Sequence, residues 1–269
     1  MRRFAGRRIR NIAILICLAA GFVFLDRLLR LTFRDAAYVN GWSLMALVVL
    51  LALYNLFKKI PYFPFGSSSA WLQLHIYAGL LSIVVFGLHV GLHFPNGVFE
   101  SVLAVVFLLV AGSGLFGLII SRVFARRLTA RGGEILFDRI PRKLGVLRRA
   151  AENVVQQCLA ETSSTLLPEF YVARLEPFFA AHRNLGHHLV HSSRPQKAIV
   201  AEIRAQVRYL NEAESEHLAK VEDLVAQKDN LDYQYAHQAL LKYWLFVHVP
   251  LTYALLVFAL LHLILVHVF

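Results

Sequence analysis

Cysteine is nearly absent from this chain of 269 residues, which has only Cys17 and Cys158. The first lies in an apolar run and the second in a polar insert, so they do not read as a disulfide. No CxxC or CxxCH occurs. That argues against covalently attached haem, zinc ribbons and cysteine-ligated iron–sulfur clusters. A glycine-rich phosphate loop and a dinucleotide fingerprint are missing too. Acidic residues are scarce, 17 against 28 Lys and Arg, which gives a net charge of +11. Over long stretches charge of either sign is missing. The chain is 58% hydrophobic with positive mean hydropathy, a composition that belongs in a membrane rather than in a soluble domain.

The basic residues are clustered. Arg2, Arg3, Arg7, Arg8 and Arg10 crowd the start, and Arg122, Arg126, Arg127, Arg131, Arg139, Arg142, Lys143, Arg148 and Arg149 follow the fourth apolar run. Beside membrane spans such clusters read as cytoplasmic anchors, not as nucleic-acid contacts. Five spans are expected, roughly Ile9–Leu31, Gly41–Phe57, Trp71–His93, Val98–Ser121 and Leu240–Phe269. With five spans, the N-terminus, Lys58-Lys59 and the region after Arg122 fall on one side. That side is expected to be cytoplasmic, and the C-terminus extracytoplasmic. The basic start followed by Ile12–Leu25 resembles a signal sequence. Asp26-Arg27 stands where a small-x-small cleavage site would, so an uncleaved anchor is expected.

The fold class expected is all-α: an integral membrane bundle of five helices with a helical cytoplasmic insert. Residues 1–121 hold spans one to four, 122–239 the insert, and 240–269 the span that completes the bundle. Within the insert, 144–159 is amphipathic. From Gln196 to Val249 there is neither glycine nor proline. Apolar residues recur there at Ile203, Val207, Leu210, Leu218, Val221 and Val225, the spacing of a long helix that continues into the fifth span.

The remaining signal is a repeated interval. His75 and His89 stand fourteen residues apart in the third span, and His248 and His262 fourteen apart in the fifth. Fourteen residues advance a helix by about 21 Å and return to within about 40° of the same face. Each span therefore offers two imidazoles on one side, near opposite leaflets. The third and fifth spans are expected to run parallel, which levels His75 with His248 and His89 with His262. Ionisable residues inside a span default to function. Two neutral imidazoles make a six-coordinate haem iron with no open position, a centre that passes electrons. His93, five helical turns after His75, is a further candidate on the same face, for a propionate, a quinone or the iron. His267 points about 140° away from His262 and reads as interfacial. Gly79, Gly87 and Gly91 would allow a flat macrocycle or a helix to approach. Lys242, Lys58 and Arg122 stand at heights suited to propionates, with snorkelling as the alternative role. His182, His187, His188 and His191 in the insert lack accompanying cysteines and read as a solvated surface rather than a metal site.

His75-Ile76-Tyr77-Ala78-Gly79 through His89, with His248-Val249-Pro250-Leu251-Thr252-Tyr253 through His262, resembles the di-haem membrane cytochromes b, in particular the ferric-reductase-like transmembrane domain. The likeness covers the third to fifth spans and omits the insert. It implies two b haems with bis-histidine ligation between the third and fifth spans. Relatives of that kind usually carry a sixth span and a flavin/nicotinamide domain, neither of which follows here, so electrons are expected from quinol or a separate subunit.

The expected function is a di-haem cytochrome b subunit of a bacterial cytoplasmic membrane, linking quinone to an extracytoplasmic redox protein such as a cytochrome c. The insert would contact a cytoplasmic or membrane partner subunit. Two alternatives stay open. One is a quinol-dependent or metal-chelate reductase with its substrate at the outer haem. The other is a membrane scaffold or sensor.

Overall fold

The computed structural model describes residues 2–32, 35–57, 67–130, 135–190 and 192–268. Nearly all of these are helical, and no strand occurs among them. The helices are α1 (Arg2–Leu31), α2 (Ala36–Phe57), α3 (Ser68–His89), α4 (Val98–Ala130), α5 (Ile140–Thr162), α6 (Leu166–Phe170), α7 (Glu176–Ala180), α8 (Leu185–Leu189), α9 (Arg194–Gln206) and α10 (Glu212–Val268). Five of them, α1 to α4 and α10, are long and apolar enough to cross a membrane. The shortest, at 22 residues, is about 33 Å long, enough for a hydrocarbon core of about 30 Å. The fold is that of a multi-pass helical membrane protein. Lys58, Lys59, His191 and Phe269 lie outside the described residues.

The chain forms two compact units, Met1–Ile119 with Trp244–Phe269, and Ile120–Tyr243. In the first, Val48, Phe107 and Leu255 are buried at a centre to which Phe86, Leu103 and Leu256 add. Large side chains such as Ile9, Phe24, Leu109 and Val257 are exposed, as they should be where lipid is the solvent. Caps set the helix starts. Asp35 accepts from the Tyr38 amide at 3.1 Å, and Ser67 from the Ala70 amide at 3.3 Å.

The third span departs from the expected Trp71–His93, because α3 ends at His89. The Leu92 amide bonds back to the Gly87 carbonyl at 3.0 Å and the Gly91 amide to Leu88 at 3.3 Å, a Schellman closure. Gly91 and Leu92 take φ of +65° and +60°. His93 follows this break, so it is not five helical turns along from His75, and its place must be read from the structure.

The second unit packs around Val155, Cys158, Leu175, Phe179, Ile203, Leu218, Val221 and Val225. Four of the six apolar positions expected to line its long helix are buried. Val207 is exposed and Leu210 half-buried, because the helix is interrupted there. A 3₁₀ turn, Val207–Tyr209, ends α9. A new start follows, in which the Glu214 amide donates to Asn211 Oδ1 and the Asn211 amide to Glu214 Oε2, both at 2.9 Å. This reciprocal capping box opens α10, which then runs unbroken through Pro250 to Val268.

Candidate functional site

The interval of fourteen residues brings the histidines of α3 and α10 together in two pairs. His89 from α3 and His262 from α10 lie with centroids 6.4 Å apart and planes at 81°. Two imidazoles on opposite sides of one metal ion, at metal–nitrogen distances of about 2 Å, have centroids roughly 6 Å apart. His89 Nδ1 is 2.9 Å from the Ala37 carbonyl oxygen. A carbonyl only accepts, so Nδ1 carries the proton and Nε2 of the neutral ring keeps its lone pair. Histidine ligands are commonly oriented in this way. His262 lies beside Phe99, centroids 6.3 Å apart, and its Nδ1 is buried without a hydrogen-bond partner.

Both rings border a cavity of about 500 Å³. That volume is in the range of cofactor sites. Val48, Phe86, Phe107 and Leu255 give it an apolar floor, and His93, Glu100 and Tyr38 bring polar groups to it. The spacing, the tautomer of His89 and the cavity all fit bis-imidazole ligation of a haem iron.

His75 and His248 are within electrostatic range of one another. Their surroundings differ from those of the first pair. Tyr54 packs on His75 at 4.8 Å between centroids, and Trp244 stacks on His248 at 5.2 Å and 23°. Ser113 Oγ is 3.0 Å from His248 Nδ1, and Trp244 Nε1 donates to the Ser113 carbonyl at 2.9 Å. His75 Nδ1 is buried without a hydrogen-bond partner, with the Leu51 backbone nearby. The donor types are those of the first pair, two imidazoles, with an aromatic ring against each.

The other expected residues are distributed as follows. His93 is exposed and lines the cavity from beyond the break in α3. His267 also lines it, contrary to its expected direction. Its Nδ1 donates to the Leu263 carbonyl at 2.8 Å, its Nε2 is 3.5 Å from the Tyr38 hydroxyl, and Trp42 meets it edge-on at 5.8 Å. The cavity wraps around the end of α10 towards α2, so more than one face of that helix reaches it. Lys242 is engaged elsewhere, 3.9 Å from Asp138 and 4.5 Å above the Phe137 ring.

The insert histidines do not form a solvated surface. His188 is buried, 3.7 Å from Asp229, and His182 is bonded to Asp232 at 2.9 Å, while His187 is exposed. Lys228 pairs with the same Asp232 and donates to the Ala181 carbonyl. Among the described residues no group of three or more His, Cys, Asp or Glu is arranged to hold a metal ion; a haem needs only two protein ligands.

Sequence reasoning missed two glycines. A Cβ on Gly41 would stand 2.9 Å from His89 Cε1, and one on Gly114 would stand 3.6 Å from His248 Cε1. These glycines, and not Gly79 or Gly87, border the paired rings; a Cβ on Gly91 would stand 3.6 Å from His93 Nδ1. A Cβ on Gly79 would meet only Leu51, and one on Gly87 would meet Leu92. Both missed glycines lie on α2 and α4, away from the helices that carry the histidines, so no interval within one helix points to them. No protein-family model matches this chain, and no curated protein or solved structure does.

Proposed function

We propose that the chain is a di-haem cytochrome b subunit that carries electrons across a membrane between quinone and a redox partner protein. His89 and His262 hold one b haem, and His75 and His248 the other. The observation that carries this reading is the His89–His262 pair, facing at 6.4 Å across a cavity of cofactor size, with His89 Nδ1 tied to Ala37. Bis-imidazole haem iron has no open position, so it supplies electron transfer and not oxygen activation. The protein's own part is to fix the tautomer of His89 and to surround the rings with apolar and aromatic side chains. The basic clusters support a cytoplasmic N-terminus, and the reading places the chain in a bacterial cytoplasmic membrane. The exposed His93 beside the cavity suits docking of an extracytoplasmic redox protein such as a cytochrome c.

A pyridine haemochrome assay on the purified chain should give two b haems per polypeptide. Redox titration with and without quinol then reads the electron donor. Absence of haem, or survival of both haems after His75→Ala and His262→Ala, overturns the reading.

His93, His267 and Tyr38 at the same cavity favour a second reading, a quinol-dependent or metal-chelate reductase with its substrate there. It predicts a steady-state reductase rate with the chain alone that His89→Ala abolishes.

A further inference from the structure

Asp26 is a carboxylate within an apolar helix and is only 6% exposed. Such a charge is costly unless paired, and the pairing is extensive. Arg30, one turn later, places Nε 2.8 Å from Oδ2 and Nη2 3.1 Å from Oδ1. Asn40 of α2 donates from Nδ2 to Oδ1 at 2.8 Å. Arg30 Nη2 also reaches the Leu88 carbonyl of α3 at 3.4 Å. Asn40 is fully buried, and its own Oδ1 has no hydrogen-bond partner.

Both ends of this network stand near one ring, Arg30 by a bond to backbone and Asn40 by its place on α2. Leu88 directly precedes His89. Its carbonyl belongs to the last turn of α3, where it also accepts from the Gly91 amide at 3.3 Å and where a cation complements the helix dipole. Asn40 lies about one turn after Ala37 on α2, and the Ala37 carbonyl is the acceptor for His89 Nδ1. The network thus ties α1 to the two backbone segments whose separation sets the His89–Ala37 bond. None of Asp26, Arg30 and Asn40 lines the cavity.

We infer that Asp26, Arg30 and Asn40 form a clasp that positions His89, fixing the Ala37 carbonyl against the end of α3 so that Nδ1 keeps the proton and Nε2 remains the free donor. They are positioning residues that act through His89. The inference deepens the ligand reading of His89 and rests on it, but the clasp acts on the ring with or without a cofactor. The same helix supplies a control. At its other end Asn11 Nδ2 donates to Gln73 Oε1 of α3 at 2.9 Å, a contact that ties α1 to α3 without reaching His89.

The test uses the full chain in lipid nanodiscs with ¹⁵N-labelled histidine, both free of haem and haem-loaded. In Asp26→Asn and Asn40→Leu the His89 ring nitrogens should shift and lose their single tautomer, while those of His75 and His248 stay in place. Asp26→Glu keeps the charge and should restore the wild-type signals. Arg30→Gln alters a half-exposed side chain, so it keeps the fold and should give the same displacement in milder form. Asn11→Ala should leave His89 unchanged. In the loaded protein the potential of one haem should move and that of the other should not. Unchanged His89 signals in Asp26→Asn, Asn40→Leu and Arg30→Gln would overturn the clasp, as would an equal effect of Asn11→Ala or a common shift of all four rings. A chain that binds no haem removes the proposed function and leaves the nitrogen signals as the test of the clasp.

Discussion

His89 and His262 border an open cavity, whereas His75 and His248 lie against the rings of Tyr54 and Trp244. The interval along the chain is the same, so the difference comes from what surrounds the rings: Tyr54 from α2, and Trp244 one turn before His248 on α10 itself. In each pair the Nδ1 of one ring has a partner and that of the other has none. His89 is anchored by a backbone carbonyl and His248 by a serine hydroxyl, while His75 and His262 have buried Nδ1 atoms without partners. The anchored ring comes from α3 in one pair and from α10 in the other. Neither helix alone therefore sets the ligand geometry. The anchors come from α2 and α4, and side-chain substitution can remove only one of them.

The largest effect expected is loss of one haem by removal of a ring. His89→Ala or His262→Ala should reduce haem content from two to one per chain, and His75→Ala or His248→Ala should remove the other. The pairs then titrate as separate centres, read by difference spectra of each variant. If one substitution removes both haems, the two pairs are a single folding unit and the comparison fails.

Next in size is crowding from α2. Gly41→Leu puts a side chain where a Cβ alone would approach His89 to 2.9 Å, and Ala37 holds that ring in place. Overpacking of this kind costs about 1–3 kcal/mol. The haem at His89 and His262 should be lost or reduced in occupancy, with the other retained. Gly79→Ala, which meets only Leu51 at 3.9 Å, should leave both. Haem stoichiometry measures each.

The histidine interval and the five apolar helices were legible because both depend on periodicity along one segment. What decides the site depends on contacts between segments, which a single sequence does not display. The Ala37 carbonyl is a backbone atom and leaves no trace in residue type. Gly41 and Gly114 matter for what lies opposite them. His93 was misread because Gly91 looked like a packing glycine when it ends α3 in the left-handed region. By contrast, Asn211 and Glu214 spell a capping box three residues apart, and the absence of glycine and proline masked that signal.

A smaller effect is expected at the hydroxyl anchor. Ser113→Ala leaves the bond from Trp244 to the Ser113 backbone carbonyl intact and deletes only the partner of His248 Nδ1. One such hydrogen bond is worth about 1 kcal/mol net. Expressed as a one-electron potential, that is a shift on the order of 40 mV. Redox titration should show one haem displaced by about this much and the other unmoved. Equal displacement of both would mean that Ser113 acts on the bundle rather than on His248.

The smallest effect falls in the insert, and it tests whether the pairs respond to events outside their own unit. Tyr171 is 5% exposed, opens the π-helical segment Tyr171–Leu175, and has a hydroxyl with no hydrogen-bond partner. Burial, reinforced by the charge of Glu152, pushes its phenol up to about 12 from an ordinary 10. The folded insert therefore keeps this proton where the unfolded chain releases it. The associated stability is complete below pH 10 and is lost as pH rises from 10 towards 12. Tyr171→Phe deletes a group that bonds nothing, so it should leave melting at pH 7 nearly unchanged and flatten the alkaline loss seen in wild type. Thermal melts of both chains at pH 8 and pH 11, followed by helical circular dichroism, measure the difference. If haem absorbance changes at the same temperature as the insert melts, and Tyr171→Phe moves both together, then the surroundings of the two pairs depend on the insert. If absorbance holds while the insert melts, their contrast is set within the first unit alone.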